Sequence, residues 1–438
     1  MSTTIWNEAK AAYNYSHNLA KDPDTYASTS TSPVRKGERD DSVQAQGLSP
    51  PPLVSMLSIY TYDPETPTRK RQRLYAQADL ELIPRPQYEP SNEPVRAPSS
   101  RASSIASGRT RSTSPLMRQF LELRLDERGL ETKALNVDAL EALPNPEAAS
   151  LLRTMRRIGN CKGIIPQDLR DQVLKDHGIK REDLDDWDSA FKDSDAFAHL
   201  PGRIRSAREI ELTCSWTTGC INSMHEEAGW NDEIHFRLLQ AAFGNPGEKI
   251  GGLFNITTRQ AAHSFAFPTG FRMVDFCLYA DSTQQNIETA KSYEDFCRTT
   301  PTRSVNHTDF QRLQMHPIVL SIETKAGSNS DAAELQIGVW HAAQWAFLKS
   351  SILRAQDGAC SIEQQTKQAD EALSRLRFIP AVIVLGHRWL FVLSTRQGQK
   401  TILWKEYQFG STSTVVETYQ IVAGLRQLAA WAYQVYLP

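Results

Sequence analysis

The sequence predicts an α/β domain with a mixed central sheet flanked by helices, preceded by a helical segment and a disordered tail. Short runs rich in β-branched and aromatic residues alternate with long helical patterns after about residue 204. Residues 117–203 place apolar residues three or four positions apart, as helices do. Residues 1–116 are rich in Ser, Thr, Pro and charged residues. We therefore divide the chain into 1–116, 117–203 and 204–438.

The tail contains STSTSP, LSPPP and RAPSSRASSIASGRTRSTSP. Such compositions bury too little apolar surface to offset the entropy of ordering the backbone, so we predict disorder for residues 1–116. Two basic clusters could be a nuclear import signal, a weak phosphate-binding arm or simply part of a solvated tail. These clusters are Arg69, Lys70, Arg71 and Arg73, and then Arg96, Arg101, Arg109, Arg111 and Arg118.

The elements of the folded part follow from periodicity. Helical patterns in the segment 117–203 are MRQFLELRL, AASLLRTMRRI and PQDLRDQVLKDHG. In the region 204–438 the predicted strands are FRMVDFCLYA, HPIVLSIETK, FIPAVIVLG, HRWLFVLST and TILWKEYQF. Helical patterns precede, interrupt and follow them in EEAGWNDEIHFRLLQAAF, DAAELQIGVWHAAQWAFLKSSILRA and VETYQIVAGLRQLAAWAYQVY. This order favours a mixed sheet covered by helices.

Several classes of protein are disfavoured by bulk properties and missing motifs. A formal net charge of −2 removes the strongest sign of nucleic-acid binding, so any such contact must come from local patches. No apolar run approaches the roughly 20 residues that span a bilayer. The six cysteines form no CxxC pair and accompany no signal peptide, which predicts an intracellular protein with reduced thiols. The sequence contains no P-loop, GxSxG or HExxH motif, and we interpret His225 and His235 as core or surface residues.

Two predicted strands carry the side chains that could perform chemistry. Alternation along a strand places Glu323 and Lys325 on one face of HPIVLSIETK. Asp275 is the lone acid of the apolar run MVDFCLYA, where an ionised carboxylate is costly unless it is paired or metal-bound. Two carboxylates and a lysine suit Mg²⁺ or Mn²⁺ and phosphodiester hydrolysis. The alternative is that Asp275 caps a turn while Glu323 and Lys325 pair in solvent at a sheet edge.

Three blocks follow one another in a fixed order: the helix EEAGWNDEIHFRLLQAAF, the strand MVDF, and IETK followed by AAELQIGVWHAAQW. In this order they resemble the PD-(D/E)XK nuclease superfamily over about residues 205–435, and more closely the nuclease-like domains of fungal proteins. The resemblance implies a restriction-endonuclease-like core in which Asp275 and Glu323 bind the metal. It also implies a further ligand in the carbonyl of Thr324, and a role for Lys325 towards the attacking water. Val274 stands where the family name has proline.

The same resemblance implies a glutamate on the first core helix and a glutamine after IETK. Glu227 fits the first position, three residues before Trp230, with Glu226 as the runner-up. Alternatively, Glu227 is an exposed acid favoured by the helix dipole. Gln336 shares an inward-facing helical row with Trp340, so it either lies near the metal or substrate or is a buried amide satisfied by backbone groups.

The sequence therefore predicts a Mg²⁺- or Mn²⁺-dependent nuclease, with nucleic acid, expected to be DNA, as its substrate. The basic clusters suggest the nucleus as its location. The alternative is a catalytically inactive nuclease fold that binds nucleic acid or protein. A third hypothesis gives the functional role to the segment 117–203, as a recruiter of a partner. The residues that choose between DNA and RNA lie in loops without a readable code.

Overall fold

A computed structural model describes residues 114–136, 138, 146–244, 254–261, 273–281, 287–327, 330–356 and 361–437. The predicted tail therefore lies almost wholly outside the described residues. The strands are β1 Leu130–Ala134, β2 Ile165–Pro166, β3 Phe191–Lys192, β4 Phe254–Ala261, β5 Met273–Ala280, β6 Ile318–Lys325, β7 Ile379–Leu385, β8 Arg388–Gln397 and β9 Lys400–Ser411. Seven of them form one sheet in the order β1-β9-β8-β7-β6-β5-β4, while β2 and β3 form a separate pair.

The helices surround this sheet. They are α1 Pro115–Leu125, α2 Pro146–Gly159, α3 Arg170–Asp176, α4 Leu184–Asp188, α5 Ala207–Asn222, α6 Glu227–Trp230, α7 Phe236–Phe243, α8 Ile287–Thr299, α9 Ser330–Ala355, α10 Ile362–Leu373 and α11 Val415–Trp431. A π-helical turn, Asn231–His235, hereafter the π turn, joins α6 directly to α7, and a second π-helical turn, Ala432–Tyr436, follows α11. Among the helices that the structure describes, none is long and apolar enough to cross a membrane.

The sheet is mixed, as predicted, because its connections are of two kinds. β7, β8 and β9 follow one another through two-residue loops and pair antiparallel. Gly386 and Gly398 open these loops with φ values of 57° and 62°, a backbone conformation that glycine adopts without strain. β6 and β7 pair in parallel, since α9 and α10 lie between them along the chain. The predicted fold class is confirmed.

A hydrophobic cluster covers each face of the sheet. One cluster contains Phe276 and Ile322 together with residues of α2, α7 and α11. The other contains Cys277 and Ile383 together with Trp340 of α9. Neighbouring residues of β5 thus enter different clusters, as strand alternation requires. Because β5 and β6 lie between the two layers, the polar side chains of Asp275, Glu323 and Lys325 at their ends are buried or half-buried.

The segment 117–203 contributes strands as well as helices. β1 pairs in parallel with β9, from Leu130 opposite Thr401 to Ala134 opposite Lys405. Leu130 is buried against Gly338 of α9, where an added Cβ would overlap the leucine side chain. β1 is therefore one edge strand of the main sheet, and β4 lies at the other edge. The prediction of helices alone for this segment was therefore incomplete. A short strand whose partner lies far away in the sequence leaves little local pattern, so the helical periodicity around it was the only signal.

Candidate active site

The antiparallel pairing of β5 and β6 brings Asp275 and Glu323 together. Phe276 stands opposite Ile322 in the register, so the next residues outward, Asp275 and Glu323, face each other across the two strands. Asp275 Oδ2 accepts hydrogen bonds from the backbone N–H and from the hydroxyl of Thr324, each at 2.9 Å. These two bonds fix the carboxylate of Asp275 beside β6.

Glu323 is the buried acid of the cluster. It is 0% exposed, and its Oε2 has no hydrogen-bond partner among the described residues. Burial, reinforced by the nearby carboxylate of Asp275, raises the pKa of Glu323 to about 8, although Lys325 acts in the opposite direction. A buried acid with an unused oxygen is costly, and a cation at that oxygen would remove the cost.

Lys325 lies among three oxygen atoms. Its Nζ is 2.6 Å from Glu323 Oε1, 2.7 Å from the carbonyl oxygen of Thr324 and 3.4 Å from Glu227 Oε2. Burial lowers the pKa of this ammonium, but the carboxylates of Glu323, Glu227 and Asp275 outweigh burial and the net pKa is raised. Lys325 is thus held in its charged form by the acids around it. The alternative of a Glu323–Lys325 pair in open solvent does not match the burial of Glu323.

Glu227 reaches this cluster from the first turn of α6. Its carboxylate is half-buried and contacts Lys325, whereas Glu226 is exposed and occupies the N-cap position of α6. Of the two glutamates considered from the sequence, the structure brings Glu227 to the lysine.

Gln336 takes a different position from Asp275, Glu323 and Lys325. Its side-chain amide donates a hydrogen bond to the carbonyl of Met273, the first residue of β5, two positions before Asp275. The residue is half-buried. The structure therefore gives Gln336 a contact with the strand that carries Asp275, and this contact agrees with the alternative of an amide satisfied by a backbone group.

The π turn adds two residues that sequence reasoning assigned no role. Asn231 and His235 are both buried in it. Asn231 Oδ1 lies 2.8 Å from Thr324 Oγ1 and 2.9 Å from His235 Nδ1, and His235 Nε2 lies 2.8 Å from the carbonyl oxygen of Gly386. Burial lowers the pKa of His235 to about 4, so the imidazole is neutral at pH 7. Nε2 of neutral His235 donates to the Gly386 carbonyl, so Nδ1 is an acceptor, and the contacts of Asn231 are hydrogen bonds when its amide is turned to place the NH2 group beside Nδ1 and Thr324 Oγ1. In that orientation a hydrogen-bonded chain runs from the β7–β8 loop through His235, Asn231 and Thr324 to Asp275.

The π turn explains why a helical wheel does not find this chain. A regular 3.6-residue period predicts one buried stripe made of Trp230, Ile234, Leu238 and Ala241. The first three are buried, but the stripe continues at Ala242, while Ala241 is only half-buried. The wider turn shifts the helix phase, and π turns of this kind occur often at functional sites. Trp230 stacks on His235 with ring centroids 5.8 Å apart, which further fixes the imidazole.

The oxygen atoms of this cluster fit a hard divalent cation. Asp275 and Glu323 offer carboxylates, and Thr324 offers a backbone carbonyl, the donor types that Mg²⁺ and Mn²⁺ prefer. The unpartnered Oε2 of Glu323 is a free ligand atom within this set. Lys325 already contacts two of the three candidate ligands, which shows that the pocket stabilises positive charge.

The comparison with protein families agrees with this geometry. A family model described as the PD-(D/E)XK nuclease superfamily matches residues 173–437. Neither the curated proteins nor the solved structures gave a match. The narrower resemblance to fungal nuclease-like domains stays a prediction. On the strength of a match that covers more than half of its length, the chain belongs to the PD-(D/E)XK nuclease superfamily.

Proposed function

We propose that this protein is a metal-dependent nuclease that hydrolyses phosphodiester bonds of nucleic acid, with DNA as the first substrate to test. Asp275, Glu323 and the carbonyl of Thr324 would hold Mg²⁺ or Mn²⁺. The observation that carries the proposal is the position of Glu323, a fully buried acid with one unpartnered oxygen beside a second carboxylate and a lysine. In a member of this superfamily, such an arrangement is a reasonable metal and water site.

Each protein group has a distinct part in the proposed reaction. The cation, when bound, supplies Lewis-acid polarisation of the phosphate and lowers the pKa of a coordinated water. Lys325 orients the attacking water and offsets the negative charge that develops on the phosphate. Glu227 lies 3.4 Å from the ammonium of Lys325 and, after Glu323, contributes to the raised pKa of that group. Thr324 positions the carboxylate of Asp275 through the two bonds to Oδ2.

The second candidate function is binding without catalysis. Lys325 contacts Glu323 Oε1 and the Thr324 carbonyl, the same oxygen atoms that would hold the metal. In an inactive nuclease-fold module this arrangement would stay closed, and neither Mg²⁺ nor Mn²⁺ would stabilise the fold. A protein that binds the ion gains stability by mass action, about 2.7 kcal/mol at an ion concentration 100 times the dissociation constant.

The test uses the full chain with labelled single- and double-stranded DNA and RNA, in Mg²⁺, in Mn²⁺ and in EDTA. Asp275→Asn and Glu323→Gln are compared with Glu334→Gln, a matched change at a second buried glutamate that pairs with Lys405. We expect metal-dependent cleavage that both site variants lose and that Glu334→Gln retains.

Two results would contradict the proposal. Cleavage that survives in Glu323→Gln would remove the assigned site. Absence of cleavage together with no thermal stabilisation by either ion would favour the inactive module. The nuclear location suggested by the basic clusters stays a separate prediction, open to imaging of the tagged full chain.

A further inference from the structure

A second cluster of potential metal ligands lies at the junction of α5 and the π turn. It consists of Cys220, His225 and Glu233. Cys220 Sγ is 3.4 Å from His225 Nδ1 and 3.8 Å from Glu233 Oε2, and His225 Nδ1 is 3.8 Å from Glu233 Oε1. These residues are separate from the acid–lysine cluster described above. Their spacing of five and eight positions matches no familiar ligand motif, which is why the sequence did not indicate them.

The local backbone brings these side chains together. Helix α5 ends at Asn222, and Met224 then adopts a left-handed conformation with φ 48°. This reversal lets the backbone N–H of His225 donate to the carbonyl of Cys220 at 3.0 Å. A Cβ atom at Gly229 would lie 3.1 Å from His225 Nδ1, so the absence of a side chain there leaves room for the imidazole. The strained residue and the glycine both serve the approach of His225 to Cys220.

The distances match the edges of a zinc coordination tetrahedron. Bonds of about 2.3 Å to sulfur and about 2.0–2.2 Å to nitrogen and oxygen imply ligand separations of about 3.4–3.6 Å. The separation of 3.4 Å between Cys220 Sγ and His225 Nδ1 matches such an edge, and each of these two atoms lies 3.8 Å from a different carboxylate oxygen of Glu233. With one ligand atom taken from each residue, all three atoms lie within 4.8 Å of one another, so the carboxylate of Glu233 would turn to bring one oxygen towards both Cys220 Sγ and His225 Nδ1.

The donor types distinguish this cluster from the first one. A thiolate and an imidazole select Zn²⁺ over Mg²⁺, which prefers oxygen ligands alone. Cys220 is buried, while the side chains of His225 and Glu233 are 32% and 46% exposed. The open side of the cluster thus faces solvent, where a water can supply the fourth ligand.

We propose that Cys220, His225 and Glu233 bind a zinc ion. The ion would join the end of α5 to the π turn, and so brace the short segment that carries Glu227 and Asn231. Binding at this second site does not require nuclease activity, because it shares no ligand with Asp275 and Glu323. An experiment that contradicts the zinc site can therefore be distinguished from one that contradicts the proposed nuclease function.

The experiment measures metal content and spectra of the full-length protein. After removal of metals with a chelator, the protein is titrated with Zn²⁺ and, in parallel, with Co²⁺. We expect one tightly bound ion per chain that millimolar Mg²⁺ does not displace, and a charge-transfer band from the Cys220 thiolate to Co²⁺. Zn²⁺ should also raise the melting temperature.

Variants decide whether these residues are the ligands. Cys220→Ser should lose the charge-transfer band, and His225→Ala should weaken Zn²⁺ binding by at least about 100-fold. The control is Cys214→Ser, which alters a half-buried thiol on the same helix as Cys220; this thiol lies 3.4 Å from Thr418 of α11. Cys214→Ser and Glu323→Gln should both keep the charge-transfer band and the wild-type Zn²⁺ affinity. His225 is partly exposed, so His225→Ala tests the site even if Cys220→Ser fails to fold.

Two results would overturn the proposal. One is a wild-type protein that takes up no Zn²⁺ after treatment with chelator. The other is a His225→Ala variant that binds Zn²⁺ as tightly as the wild type while melting at the same temperature in EDTA. In either case Cys220, His225 and Glu233 form only a polar cluster in which the thiol contacts a carboxylate.

Discussion

Among the residues that the structure describes, two buried glutamates each pair with a lysine, and the two pairs differ in their surroundings. Glu323 is 0% exposed and contacts Lys325, and Glu334 is 1% exposed and contacts Lys405. Around Lys325 the carboxylates of Asp275 and Glu227 add negative charge, and they act on the pKa values of the pair. Lys405 instead lies on β9, three strands from β6 in the sheet order.

The difference shows what a buried ion pair can and cannot indicate. A buried carboxylate needs a partner wherever it lies, so a glutamate–lysine contact alone says little about function. Several carboxylates around a single lysine, as Asp275, Glu227 and Glu323 are around Lys325, indicate a place for another cation. By this criterion we assign Glu323 to the proposed site and use Glu334 as its internal control.

The largest expected effect separates the two glutamates by activity. Glu323→Gln should lower metal-dependent cleavage by at least about 100-fold, because it removes a metal ligand and the charge that holds Lys325. Glu334→Gln should stay within about twofold of the wild type, since its partner lies on another strand. Single-turnover cleavage of labelled DNA measures both. Equal losses in the two variants would show that burial, and not the site, explains the effect.

The lysines should separate the pairs by stability. Lys405→Met removes the ammonium that pairs with the buried carboxylate of Glu334. We expect the free energy of unfolding to fall by about 2–3 kcal/mol, less than for a fully buried pair because Lys405 is partly exposed. Lys325→Met should cost less in metal-free protein at pH 7, because Glu323, with its raised pKa, can take up a proton instead. Urea denaturation in EDTA gives both values. A larger loss for Lys325→Met would contradict the raised pKa of Glu323.

The pH dependence of stability should isolate Glu323. Its folded-state pKa of about 8 lies above its ordinary value of 4.5, so the folded protein binds this proton more tightly than the unfolded chain does. The resulting stabilisation is complete below about pH 4.5 and is lost as the pH rises towards 8, with a slope of up to about 1.4 kcal/mol per pH unit.

The measurement compares urea denaturation of the wild type and Glu323→Gln between pH 5 and pH 8, in EDTA. The difference in unfolding free energy between them should shrink or reverse as the pH rises. Glu334→Gln should keep the wild-type slope. Mn²⁺ should flatten the slope in the wild type, because the ion favours the ionised carboxylate. Parallel curves for the wild type and Glu323→Gln would refute the assigned shift.

The smallest expected effect concerns the hydrogen bonds that support Asp275. His235→Phe keeps an aromatic ring against Trp230 but removes the bonds to Asn231 and to the Gly386 carbonyl. We expect activity about 10-fold lower, together with a higher metal concentration for half-maximal activity. A purely structural role would lower stability without changing the metal requirement.

The matched control for that change is His341→Phe. His341 is likewise buried and neutral at pH 7, but its ring nitrogen Nδ1 contacts Ser394, which belongs to β8. This variant should lose stability and keep the wild-type metal requirement. A shift in the metal requirement of both variants would remove the special role of His235.

The fold and the candidate site could be predicted where local pattern and geometry agree. Strand alternation and the single acid in MVDF led to Asp275, Glu323 and Lys325, and the structure brings these side chains together. The fold class and the superfamily are confirmed. The site roles remain proposals that the experiments above address.

Two features of the structure could not be predicted from the sequence, for physical reasons. The π turn shifts the helix phase by its wider winding, so a regular 3.6-residue period hides the joint role of Asn231 and His235. The cluster of Cys220, His225 and Glu233 depends on a left-handed residue at Met224, a backbone choice that carries no clear sequence signal outside glycine. In both cases the information lies in the path of the backbone.

The edge strand β1 has a practical consequence for anyone who expresses part of this chain. The family match begins at residue 173, well after Leu130–Ala134, so a fragment cut at that boundary would lack β1. The N–H and C=O groups of β9 that pair with β1 would be exposed, and Gly338 of α9 would lose its contact with the side chain of Leu130. Such a bare edge recruits strands from other molecules. A fragment that starts near Ser114 should stay dispersed in solution, while one that starts at residue 173 should aggregate.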